Sequence, residues 1–136
     1  LSVCDVALAH GKHVIIESPV PRGLGSQHAI KNREQHASMW EYPPVQEFEK
    51  RGKCKYVDFD QCMVGATAQK TTRLMCTPYT YQALFEAFAP AVCDGKHEHV
   101  DLRQDPTTGE FRSSAAEQYP SRRNEALADA DALLAD

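Results

Sequence analysis

Apolar residues in this chain come in short groups separated by long polar stretches, and each group is about the length of a single helix or strand. Residues 1–10 carry Leu1, Val3, Val6, Ala7 and Leu8 at roughly helical spacing, with Gly11 where a helix cap belongs. Residues 12–17 contain the unbroken β-branched run Val14-Ile15-Ile16, the pattern of a short strand covered on both faces. Pro19, Pro21, Gly23, Gly25 and Ser26 then mark a long polar loop, and residues 27–35 offer little to bury. Ser38-Met39-Trp40 with Pro43-Pro44 next starts a helix, proline being tolerated in a first turn, in which Val45 and Phe48 form an apolar pair and which Gly52 closes. Residues 54–59 read as a second strand.

Beyond Gly65, residues 73–76 are long enough for one more short strand. Thr77-Pro78 then opens a helix with Leu84, Phe85, Phe88 and Ala89 on one face. So short a link between the second and third strands leaves no room for a crossover helix, so this pair is predicted antiparallel. Residues 92–100 are polar and rich in cysteine and histidine, residues 103–113 read as solvated loop, and residues 122–134 form an Ala-rich helix. The pattern predicts an α/β chain. Its sheet is a partial Rossmann-like one of about three strands, the last pair antiparallel, flanked by helices and followed by a helical C-terminal tail. The predicted organisation is a half-domain over residues 1–100, a loop over 101–120 and a helix over 121–136.

At 136 residues the chain has room for one core. A net charge of -4 and a pI near 5.8 exclude a protein that wraps nucleic acid by bulk electrostatics, so any such contact must be local. The apolar runs are too short to span a bilayer and no secretory leader is legible, which reads as a soluble, intracellular protein without a membrane partner. That compartment would be nuclear in a eukaryote and cytoplasmic in a phage or bacterium. Five cysteines at scattered spacing suit reduced thiols or metal ligands better than a disulfide framework. The opening on Leu1, inside a helical pattern, suggests a fragment of a longer protein.

Candidate chemistry gathers where strands hand over to loops, the edge at which open α/β sheets bind ligands. Glu17-Ser18-Pro19 ends the first strand, Asp60-Gln61-Cys62-Met63-Val64-Gly65 follows the second, and Gln69-Lys70-Thr71-Thr72-Arg73 leads into the third. A carboxylate at position 17 and cations at Lys70 and Arg73 would suit a planar or anionic ligand if they shared a cleft. Separately, Cys93-Asp94-Gly95-Lys96-His97-Glu98-His99 places one thiol and two imidazoles within seven residues. His97 and His99 share a face if the segment is extended, a turn at Gly95 would fold Cys93 back, and Cys62 or Cys76 could be a fourth zinc ligand. The candidate metal set is Cys93, His97 and His99 with Cys62. The plainer readings are a solvent-facing or ion-paired Glu17, surface cations at Lys70 and Arg73, small buried thiols at Cys62 and Cys76, and a packing role for Trp40. The Arg122-Arg123 pair asks for no function.

The order of these segments resembles a known group. Glu17-x-Pro19, a helix start containing Trp40, Asp60-Gln61-Cys62-x-x-Gly65, Lys70-x-Thr72-Arg73, Cys93-x-Gly95-x-His97-x-His99 and Ala116-x-x-Tyr119-Pro120 look like proteins of phages and transposable elements similar to the cytosine-5 DNA methyltransferases. The resemblance runs from Lys12 to about Pro120. It implies that Glu17 is the catalytic carboxylate that contacts the edge of a flipped cytosine and helps protonate the ring. It implies that Lys70 and Arg73 contact base and phosphate, with Ser18 and Thr71 departing from the usual motif residues. The full-length relatives use S-adenosyl-L-methionine. No glycine-rich cofactor loop and no Pro-Cys nucleophile segment are present, so on this reading the chain is the second half of a catalytic domain that needs a missing N-terminal half. The alternative readings are a zinc-stabilised non-enzymatic interaction module and a degenerate reading frame whose product retains no activity.

Overall fold

The computed structural model describes residues 2–21, 38–99, 107–108 and 121–132. The polar loop expected over residues 22–37, most of the 101–120 loop and the Ala116 to Pro120 segment lie outside the described residues. Helix α1 spans Ser2–Ala9, strand β1 Ile15–Pro19, helix α2 Pro43–Gly52, strand β2 Lys55–Asp60, strand β3 Thr71–Cys76, helix α3 Pro78–Phe88 and helix α4 Ser121–Ala132. Short 3-10 turns at Met39–Glu41 and Gln61–Val64 precede α2 and follow β2. The strands form one sheet in the order β1-β3-β2.

Both pairs are antiparallel: Glu17 lies opposite Leu74 on one side of β3, and Val57 lies opposite Leu74 on the other. The antiparallel β2–β3 pair agrees with the short link between them. β1 is antiparallel as well, and parallel pairing of the Rossmann kind does not occur among the described strands. The molecule is α/β in its layering, with helices on both faces of the sheet, rather than in a parallel strand order.

Side chains alternate across the sheet, so each strand serves two cores. One face brings Val57, Phe59, Leu74 and Cys76 against Leu84 and Phe88 of α3 and Ala130 of α4. The opposite face packs Met75 against Val14, Trp40, Val45 and Phe48, with Leu8 of α1 alongside. α4 is therefore not a detached tail, since Ala130 is only 3% exposed within the first core.

Several boundaries have identifiable causes. β1 runs through Pro19 because an edge strand needs no N–H on its outer side, and the Pro19 carbonyl accepts the Trp40 indole N–H at 2.7 Å. Trp40 is a packing residue, 5% exposed. β3 begins at Thr71 instead of Arg73, because Thr72 is fully buried and its hydroxyl accepts the Gln61 side-chain amide at 2.9 Å. Gly52 is the last helical residue of α2 and Lys53 is the left-handed cap, with φ 50°. A Cβ at 52 would stand 2.8 Å from the Cys54 sulfur, so a larger residue there would oblige that thiol to turn away. Thr77 ties the ends of two strands together: its N–H donates to the Val14 carbonyl at 3.1 Å and its hydroxyl accepts the Val14 N–H at 3.2 Å.

Candidate metal centre

The chain folds Cys62, Cys93, His97 and His99 into one cluster at the carboxyl end of β2, their ligand atoms all within 4.8 Å of one another. Cys62 comes from the 3-10 turn that Gly65 closes with φ 101°. The other three come from the segment after α3. Two contacts made by Asp60 attach that segment to the sheet: its N–H donates to the Ala91 carbonyl at 2.7 Å, and its carboxylate accepts the Cys93 N–H at 2.8 Å. The other carboxylate oxygen accepts the Thr71 hydroxyl, so this buried acid spans β2, β3 and the loop.

Within the loop the turn is built from Asp94 and Gly95. The Asp94 carboxylate accepts the Lys96 N–H at 2.9 Å, an Asx-type turn, and Gly95 takes φ 69°. That bend directs the Gly95 N–H at the Cys93 sulfur, 3.5 Å away. The sulfur lies 3.9 Å from His97 Nε2 and 3.5 Å from His99 Nε2, and the two Nε2 atoms are 2.9 Å apart.

These separations lie close to those around a tetrahedral ion. Zinc–sulfur bonds of about 2.3 Å and zinc–nitrogen bonds of about 2.0 Å imply ligand-to-ligand edges of roughly 3.5 Å for sulfur to nitrogen and 3.3 Å for nitrogen to nitrogen, which the observed 3.5 and 3.9 Å and 2.9 Å bracket, so shifts of about 0.4 Å complete the tetrahedron. Asp94 also supplies the outer contact such sites use, its carboxylate 3.0 Å from His97 Nδ1. In a metal-bound site that contact would place the imidazole proton on Nδ1, the tautomer in which Nε2 is free to ligate.

The electrostatics keep the Cys62 thiol protonated while no ion is bound. Burial pushes the Cys62 thiol up to about 12, reinforced by its hydrogen bond with Cys93 and by the negative charge of Cys93 and Asp60. The Lys96 N–H and then His97 hold the Asp94 carboxyl below the usual carboxylate range. A bound divalent ion would reverse the effect on the thiols, because coordination deprotonates a thiol outright.

The other candidates do not converge. Glu17 points to the face covered by α3 and α4, where its carboxylate is ion-paired with Arg123 of α4. Arg73 lies on the opposite face, opposite Ser18 and not Glu17. There its guanidinium holds Asp58 through two bonds, at 2.8 and 3.1 Å, and stacks 4.6 Å from the Tyr56 ring centre. The hydrogen bonds to Asp58 hold Arg73 above its ordinary pKa, against the effect of burial. Lys70 sits in the turn before β3 with φ 29°, its carbonyl accepting the Thr72 hydroxyl at 3.0 Å. Glu17 and Arg73, expected to share a cleft, thus lie on opposite faces of the sheet, each in its own ion pair. Cys76 is fully buried in the first core, its thiol raised by burial, and takes no part in the cluster.

Sequence reasoning missed Asp60 as the anchor and Arg123 as a buried ion-pair partner. An aspartate at the strand end two residues before Cys62 was the available signal for the first. For the second there was none, because the partners are 106 residues apart. No protein-family model, curated protein or solved structure matches the chain. No helix among the described residues is long and apolar enough to cross a membrane.

Proposed function

We propose that the chain is a zinc-stabilised interaction module in which Cys62, Cys93, His97 and His99 hold one structural Zn2+. The observation that carries this reading is the convergence of two thiols and two imidazole Nε2 atoms from separate segments within 4.8 Å. Thiolate and imidazole donors in a tetrahedral set favour zinc over the hard cations, which take oxygen ligands. Four protein ligands fill the tetrahedron and leave no position for a reactive water, which favours a structural role over a hydrolytic one.

The module also needs the ion. Residues 94–98 are exposed, Val92 is 62% exposed, and the segment buries almost no apolar surface to offset the entropy of ordering it. Metal ligation would supply that free energy, and it would fasten the loop to the end of β2. The nucleobase reading draws no support from the geometry, because Glu17 and Arg73 occupy opposite faces, each in its own ion pair. The test is metal analysis of the reduced, purified chain with thermal melting before and after chelation. One equivalent of zinc and a lower Tm after its removal are expected. A metal-free protein whose melting ignores both zinc and chelator would overturn the reading.

A further inference from the structure

We infer that the same cluster is an oxidation-sensitive switch, in which hydrogen peroxide joins Cys62 to Cys93 as a disulfide and releases the metal. This inference rests on the zinc reading and adds a mode of regulation to it.

The five cysteines divide into two groups. Cys76 is fully buried, and Cys4 and Cys54 pack in the layer of α1 and α2 on the other side of the sheet. Only Cys62 and Cys93 belong to the cluster, with their sulfurs within 4.8 Å of each other. Zinc would keep both as thiolates, the form that reacts with peroxide. Cys93 is the site of first attack, because the exposed residues 94–98 flank it while Cys62 lies between the buried Gln61 and Val64.

The chemistry balances with peroxide as the only co-reactant. The Cys93 thiolate attacks one peroxide oxygen, the O–O bond breaks, hydroxide leaves and a sulfenic acid remains. The Cys62 thiolate then attacks the Cys93 sulfur, a sulfur–sulfur bond forms and a second hydroxide leaves. Two thiolates lose two electrons in total, and one peroxide gains them. The sulfurs close to about 2.05 Å. Neither is then anionic, and two neutral imidazoles alone do not retain the ion, so Zn2+ departs.

The consequence is local and directional. The link between the turn after β2 and the start of the loop survives as a covalent bond. His97 and His99 lose their common ligand, so the exposed stretch 94–99 is released while its attachment at Cys93 stays fixed. A partner that recognises that stretch would thus distinguish reduced from oxidised protein.

The experiment adds hydrogen peroxide stepwise to the zinc-loaded full chain, with a chromogenic chelator reporting free zinc and peptide mass mapping reporting cysteine state. Expected are one zinc released per Cys62–Cys93 linked peptide, a fall from five free thiols to three, and recovery of zinc binding after a dithiol reductant. The Cys4→Ser/Cys54→Ser variant should respond identically. Zinc retained while Cys4 or Cys54 oxidises would overturn the switch and leave the zinc reading standing. Zinc released with Cys93 driven to sulfinic acid and unlinked to Cys62 would do the same. Failure to load zinc before any peroxide is added would overturn both.

Discussion

Removing the carboxylate at position 17 tests directly whether that residue holds the fold together or serves a ligand. The Glu17 and Arg123 side chains are only 13% and 9% exposed, so this pair is not the solvated surface type whose strength is marginal. A buried ion pair that loses one member typically costs about 3–5 kcal/mol, because the remaining charge stays out of water without its counter-charge. Arg123 keeps its bond to the Asn124 side chain at 3.1 Å, which places Glu17→Gln toward the lower end, about 3 kcal/mol. For a chain of this length that corresponds to a fall in Tm of roughly 9 °C. Chemical denaturation monitored by Trp40 fluorescence would measure it, alongside a Glu17→Met/Arg123→Met variant. The double variant should lose much less than the two single changes summed, since apolar side chains of similar size can replace a buried pair at little cost. A loss below about 1 kcal/mol for Glu17→Gln would refute the reasoning, because it would mean that the pair behaves as if solvated.

Other perturbations should sort in the same way. Leu74→Ala removes a fully buried side chain at the centre of the sheet and should cost about 3 kcal/mol, read as a shift in denaturation midpoint with unchanged slope. Arg73→Ala breaks the Asp58 pair and the stack on Tyr56 at a partly exposed site and should cost about 1 kcal/mol without changing zinc content; Arg73→Lys should recover only part of it, lacking the planar fork. Burial first, then the nearby Cys76, Glu49 and Cys4, pushes the Cys54 thiol from 9.0 up to about 11. The folded state therefore holds this proton more tightly than the unfolded chain, so the contribution is complete below pH 9 and is lost as pH rises toward 11. A stability profile in reduced protein should decline over that range, and Cys54→Ala should flatten the decline.

The legible parts of the fold were those encoded locally. Pro43-Pro44 with Val45 and Phe48 marked α2, and the short link from β2 to β3 required antiparallel pairing whatever the tertiary context. Strand limits were less legible, because Pro19 looks like a terminator until the strand is known to lie at an edge, and Thr72 looks exposed until Gln61 is found beside it. The cluster was readable because Cys93, His97 and His99 fall close together in sequence, with Gly95 between them to turn the chain. Cys62, named from the sequence as the fourth ligand, follows the strand end into the cluster, while Cys76 alternates into the core. The supposed cleft failed for the same reason: a one-residue offset in register sends Glu17 and Arg73 to opposite faces.

X-ray absorption at the zinc edge of the reduced, zinc-loaded chain examines the ligand set itself. The account predicts two sulfur scatterers at about 2.3 Å and two imidazole nitrogens at about 2.0 Å, with no oxygen ligand. A shell dominated by oxygen, or one sulfur where two are expected, would contradict it.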